Sequence, residues 1–202
     1  MRNLDREIFT APTLGDALLL IDVQRDFLPG GSLAVTGGDA IIPVLKRYLE
    51  YFQHARLPVF ATRDWHPANH CSFRTQGGVW PPHCVANSPG ARFAPELDLP
   101  AQTRVISKDA TPERDTYSGF QYTDLEAQLK RLGVHRLLVG GLATDYCVLM
   151  TVLDALERGF RVWVLEDAIR AVNVHPGDGN RAIEKMRKKG ARILHFQTLE
   201  AA

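Results

Sequence analysis

Residues 136–167 read RLLVGGLATDYCVLMTVLDALERGFRVWVLED, and this stretch decides the fold. It opens on an unbroken apolar run, RLLVGGL at 136–142, and ends on another, RVWVLED at 161–167. Continuous rather than alternating hydrophobicity suits strands buried on both faces. Between the two runs, 145–158 carries a helical pattern stopped by Gly159. Strand, helix, strand in so short a span is a parallel pair with a crossover helix. Outward from it, ALLLID (17–22), PVFATRD (58–64), RVISK (104–108) and ARILHF (191–196) repeat the strand pattern, while 40–56, 123–132 and 177–189 repeat the helical one. Right-handed crossovers then predict an α/β fold: a six-stranded, mostly parallel sheet with helices on both faces.

The 202 residues fit one domain, 1–202 with its core at about 17–196. A chain of that length buries about 70% of its unfolded surface, so neither metal nor disulfide is needed merely to fold. Lys plus Arg is 24 against 23 Asp plus Glu, and the longest block of one sign is RKK at 187–189. That balance argues against nucleic acid and membrane surfaces as partners. Three cysteines without a CxxC spacing point to a reducing compartment, the cytoplasm by default. The first sixteen residues lack a signal-like apolar core, and ALLLI at 17–21 is far too short to span a bilayer.

Residues 23–38 and 65–103 escape the alternation, and the second stretch is too long for an idle connection. Asp22, Asp64, Lys108 and the turn GLATDYC (141–147) all fall at the carboxyl ends of predicted strands, the rim where open α/β sheets hold ligands. Any one acid could simply end a strand or cap a helix; their joint placement points to a site. Cys147 follows Thr144 and Asp145, either a good N-cap, which would put its thiol in a first helical turn where amides and dipole lower its pKa. The plain alternative is a core cysteine. A glycine-rich strand-to-helix turn can also present backbone amides beside a nucleophile. No histidine stands near Cys147 in sequence, so Asp22 and Lys108 are the candidates to assist it.

ATRDWHPANHCSF (61–73) and WPPHC (80–84) hold three of the seven histidines and two of the three tryptophans. Asp64 and His66, one residue apart, can point the same way, and His83 could complete a facial set that leaves positions open, as Zn, Fe(II) or Mn would accept. Such spacings are common, and a loop lined by His and Trp without metal is the alternative. His70 is either a fourth ligand or, as we favour, a partner behind the ligands or part of the pocket wall. Cys84 adjoins His83, so the two would not face one ion. Phe27, Trp80 and Tyr117 could wall a flat apolar pocket or merely pack their loops.

In this order, IDVQRDFLPGGSLAV (21–35), TRDWHPANHCSF (62–73), WPPHCVANSPGARF (80–93), ISKD (106–109) with YSGF (117–120), GLATDYCV (141–148) and VNVHPGDGNRAIEKM (172–186) cover nearly the whole chain. The set resembles the nicotinamidase (pyrazinamidase) branch of the isochorismatase-like cysteine hydrolases. The resemblance implies a Rossmann-like three-layer sandwich that converts nicotinamide, and pyrazinamide too, to the acid and ammonia through a cysteine thioester. It implies Cys147 as nucleophile, Asp22 as proton shuttle, Lys108 as the charge that holds them, and the amides of Ala143 and Cys147 as oxyanion hole after a cis Leu142–Ala143 peptide. It further implies one divalent ion (Zn, Fe or Mn) on Asp64, His66 and His83 that orients the pyridine ring, with Phe27, Trp80 and Tyr117 around it. Tyr146 varies in the family and would shape the rim. Isochorismatases and carbamoyl-amide hydrolases generally lack the DWH and PPHC pair, so a metal-bearing pocket favours a heteroaromatic amide. The same resemblance implies a homo-oligomer in pyridine nucleotide salvage; residues 1–16 exceed what the shortest family members carry and have no role readable from the sequence, packing on a neighbouring subunit being the one expectation for them. Two competing readings are a relative acting on another small amide or vinyl ether, and a catalytically silent α/β binding module.

Overall fold

The computed structural model describes residues 11–200, so most of the segment expected to meet a neighbouring subunit, 1–10, lies outside the described residues. Six strands, β1 (Asp16–Ile21), β2 (Val59–Asp64), β3 (Arg104–Lys108), β4 (Arg136–Leu142), β5 (Arg161–Arg170) and β6 (Arg192–Leu194), form one sheet in the order β3-β2-β1-β4-β5-β6. Every pairing is parallel, and the order is the Rossmann-like one. The helices are α1 (Ile42–His54), α2 (Leu125–Arg131), α3 (Leu149–Glu157), α4 (Asp178–Lys188) and α5 (Phe196–Glu200).

Alternate residues of each strand feed two cores, which is why the strands read as unbroken apolar runs. Leu18 and Leu20 of β1 meet Leu45, Tyr48 and Phe52 of α1 and Phe196 and Leu199 of α5 on one face. Leu19 and Ile21 meet Leu125 and Leu129 of α2, Val152 of α3 and Met186 of α4 on the other. Each of these apolar side chains, buried from water, contributes roughly 1.5–3 kcal/mol.

Three boundaries differ from the sequence reading. β5 continues past Asp167 to Arg170, because a register shift opposite Gly140 lets Ile169 pair again with Gly141. The end of ARILHF is not strand: the Phe196 amide donates to the Asp167 carboxylate at 2.8 Å, its ring packs edge-on at 4.7 Å against Tyr48, and the chain turns into α5. The helix expected from 145 begins as α3 at Leu149, after a five-residue π-helical turn, Thr144–Val148.

Between β1 and β4 the strand order reverses, and a crevice opens at their carboxyl ends. Gly141, at φ 124°, lets the two strand ends close up there, since a Cβ at this position would run into the Ile21 carbonyl. Asp22 leaves one strand and the Cys147 turn leaves the other.

Candidate active site

The turn that carries Cys147 is built from backbone. The Leu142–Ala143 peptide is cis, and the Val148 amide reaches back to the Ala143 carbonyl at 3.1 Å to close the π turn. Neither Thr144 nor Asp145 caps it; the residue at the cap is Ala143, with no side-chain bond. Asp145 instead accepts from the amides of Val172 (2.9 Å) and Asn173 (2.8 Å), which brings Val172 onto the wall of the pocket. The expected lowering of the thiol pKa is overturned. Burial pushes Cys147 well above its ordinary value against the pull of Lys108, and the acids Asp22 and Asp64 push the same way as burial. The resting group is therefore a thiol, and its proton has to leave as it reacts.

Asp22 stands where that proton can go, with Lys108 between it and the thiol. The Lys108 ammonium, 1% exposed, lies 3.0 Å from Asp22 Oδ2 and 3.5 Å from Cys147 Sγ, and it bonds Asp64 as well. Burial opposes its charge, but Asp22 and Asp64 hold its pKa well above the usual lysine value. Burial pushes Asp22 up to about 6, against the pull of Lys108. A carboxyl group that changes charge near neutrality beside a buried thiol can take a proton and return it.

Asp64, His66 and His83 form a second, adjoining cluster. All three are buried, and one ligand atom from each lies within 4.8 Å of the others. Nδ1 of His66 is 3.0 Å from the His83 carbonyl, and Nδ1 of His83 is 2.8 Å from the Pro81 carbonyl. A carbonyl only accepts, so each Nδ1 carries the hydrogen and each Nε2 keeps a free lone pair, the arrangement of metal-binding imidazoles. Burial pulls His66 down to about 4 and keeps it neutral; burial also opposes the charge of Asp64, but the Lys108 ammonium beside it leads the pulls that hold its carboxyl below the usual carboxylate range. Two imidazoles and a carboxylate fit a divalent ion such as zinc, iron or manganese. His70 lies outside this set: Nδ1 meets Ser72 Oγ at 2.8 Å and Nε2 meets the Arg114 carbonyl at 2.5 Å. Its ring instead lies 4.3 Å from that of His66 as a wall behind it. Cys84 packs into the core on the α1 side.

Three acids and amides that organise the site were not singled out from the sequence. Gln24 donates to the carbonyls of Asp64 (2.8 Å) and Ala91 (2.9 Å) and accepts from the Asp64 amide (2.8 Å). Asp26 accepts from the Cys84 amide at 2.7 Å, next to His83. Asp109 Oδ1 is held by the amide (2.8 Å) and hydroxyl (2.5 Å) of Thr116, while Oδ2 lies 3.8 Å from Lys108 Nζ and 4.0 Å from His66 Nε2. Burial pushes Asp109 up to about 7. A polar residue directly after a strand was the available signal for Asp109.

The two clusters share one small, mostly apolar cavity with a free volume of about 40 Å³. Phe27, Trp80, Tyr117 and Tyr146 all line it, as expected, and Leu33, Val35 and Val172 join them. The Trp80 indole donates to the Tyr117 hydroxyl at 3.1 Å, and the Tyr146 ring lies 5.3 Å from Trp80 and 5.5 Å from Tyr117.

Residues 16–198 match the family described as Isochorismatase domain. The nicotinamidase of Escherichia coli (strain K12) is 42% identical over 198 residues, covering 88% of this chain and 93% of that protein. Among solved structures, the pyrazinamidase of Pyrococcus horikoshii in complex with zinc has a TM-score of 0.87 at 48% identity, covering 90% of this chain and 99% of its own. PnC1 of L. infantum in complex with nicotinate has a TM-score of 0.85 at 37% identity, covering 94% and 97%.

Proposed function

The chain belongs to the isochorismatase family, and from that premise we propose that it is an amidohydrolase that converts nicotinamide to nicotinate and ammonia. The observation that carries the reading is the meeting of Cys147, Lys108 and Asp22 at one buried point, with Lys108 Nζ 3.5 Å from the thiol and 3.0 Å from the carboxylate. The thiol attacks the amide carbon as its proton passes to Asp22. The oxyanion that forms is held by the amides of Ala143 and Cys147. Asp22 then returns the proton to the leaving nitrogen, ammonia departs, and a thioester remains on Cys147. A water deprotonated by Asp22 attacks the thioester and releases nicotinate with the thiol restored. Lys108 holds the ionised partners together throughout.

Asp64, His66 and His83 would hold a divalent ion, which when bound supplies an anchor for the ring nitrogen. Zinc has the support of the Pyrococcus complex, and iron and manganese suit the same donors. Phe27, Trp80 and Tyr117 hold the ring between them, and Tyr146 shapes the rim. Pyrazinamide, which keeps a ring nitrogen in the same relation to its amide, is a second substrate; the name of the Pyrococcus relative supports it. A homo-oligomeric, cytoplasmic enzyme of pyridine nucleotide salvage belongs to the same reading, which the family resemblance and three unpaired cysteines support.

Ammonia release from nicotinamide by the purified protein tests this, before and after chelation with metal added back. Turnover that needs both the thiol and the ion is expected. Turnover of unrelated amides at the same rate, or none from folded, metal-loaded protein, overturns it.

A further inference from the structure

We propose that Thr62 is a positioning residue for this reaction: its hydroxyl pins Asp22 so that Oδ2, and not Oδ1, is the oxygen that takes and returns the proton. The inference rests on the reading of Asp22 as the proton shuttle.

Thr62 lies in β2, fully buried, beside the end of β1. Its Oγ1 is 2.6 Å from Asp22 Oδ1 and also accepts from the Asp22 amide at 3.3 Å. An ionised carboxylate cannot donate, so the single hydroxyl hydrogen points to Oδ1. Among the described residues Oγ1 donates no other hydrogen bond. Oδ1 is thereby occupied while Asp22 is ionised, the state in which it receives a proton. Oδ2 is different: buried, free of any well-aligned hydrogen bond, and 3.0 Å from the Lys108 ammonium that also touches the thiol. A proton arriving at Asp22 therefore lands on Oδ2, the side facing the reacting groups.

The hydroxyl is itself aimed by packing. A Cβ at Gly119 would stand 2.8 Å from the Thr62 methyl carbon, so the glycine lets the chain press against that methyl and fix the side-chain rotamer. The Gly119 amide donates at 3.0 Å to Thr151 Oγ1 in α3, the helix that continues from the Cys147 turn. One chain of contacts thus joins the helix behind the nucleophile to the carboxylate in front of it.

Thr62→Val keeps the shape and removes the hydroxyl; Thr62→Ser keeps the hydroxyl and removes the methyl. With nicotinamide as substrate, the valine variant should lose kcat by about 30-fold or more, within the range of positioned acid–base catalysis, while KM stays within about threefold. Serine should restore most of that loss, to within about fivefold of the parent kcat. A folded valine variant with parental kcat overturns the proposal, and so does a serine variant as slow as valine, which would assign the effect to packing. Should valine not fold, Thr62→Ala, which leaves room for a water, is read by the same criterion against serine. The parent protein and Cys147→Ala run alongside: a parent that releases no ammonia defeats the proposed function, whereas an active parent matched by the valine variant defeats only this inference.

Discussion

The two walls of the crevice are made in opposite ways. On the β4 side the Cys147 thiol sits in a turn that continues straight from a strand, five residues wound by their own backbone, with one side chain, Asp145, tying it to the next loop. On the β2 side His66 and His83 are carried by the long stretch 65–103, which forms no strand, only isolated bridges such as His66 to Val85 and Phe73 to Trp80 and two single 3-10 turns, Arg74–Gln76 and Pro95–Leu97. That wall is shaped by buried side chains that reach across the fold, Gln24 over 40 residues and Asp26 over 58. A locally wound turn tolerates loss of a single contact. A wall held at a distance does not, because each lost partner leaves buried backbone groups unpaired.

The sharpest break between the walls comes from their reacting groups. Cys147→Ala should lower turnover by about 10⁴-fold or more while ion content, read by elemental analysis, stays that of the parent. His83→Ala should do the reverse: the ion is lost on dialysis, and kcat/KM falls about 100-fold. If both variants lose the ion, the two walls are one structural unit and the contrast fails.

Gln24→Leu probes how the distant wall is held. It strands the Asp64 amide and the Asp64 and Ala91 carbonyls, and should cost about 2–3 kcal/mol in chemical unfolding and weaken ion retention against a chelator. A smaller response is tied to pH. Asp22 must be ionised to receive the thiol proton, and burial places its titration at about 6. Protonation below that value removes the acceptor, so kcat/KM should fall as pH drops through 6, about tenfold per unit beyond it, and level off above. The smallest effect belongs to Asp145→Ala. It frees the loop at Val172 and should raise KM a few-fold with kcat nearly kept, a loss of about 1 kcal/mol.

The same division governed what the sequence disclosed. The strands were legible because burial on two faces leaves an unbroken apolar run, and Asp22, Asp64 and Lys108 were legible because they stand where those runs stop. Less could be read wherever partners are far apart in the chain. Nothing near Gln24 announces that it will clamp Asp64, and nothing near Thr62 announces Asp22. His70 carries the spacing of a ligand, yet both its nitrogens are taken by Ser72 and Arg114. The thiol at a helix start suggested a lowered pKa, but burial beside two acids, a property of the assembled site, dominates. A π turn in place of a regular first turn likewise has no mark in TDYCV, since its length is set by where the Ala143 carbonyl ends up.

The small size of the cavity orders events in time. A chamber of about 40 Å³ lined by aromatic rings must widen to admit a flat heteroaromatic amide, and under the proposed reaction that amide would fill it. Ammonia and water are nearly the same size. The seat emptied by the first would then be the seat the second takes, so on this reading hydrolysis of the thioester would wait on departure of the amine, with the acyl group shielded until its successor arrives by the same door.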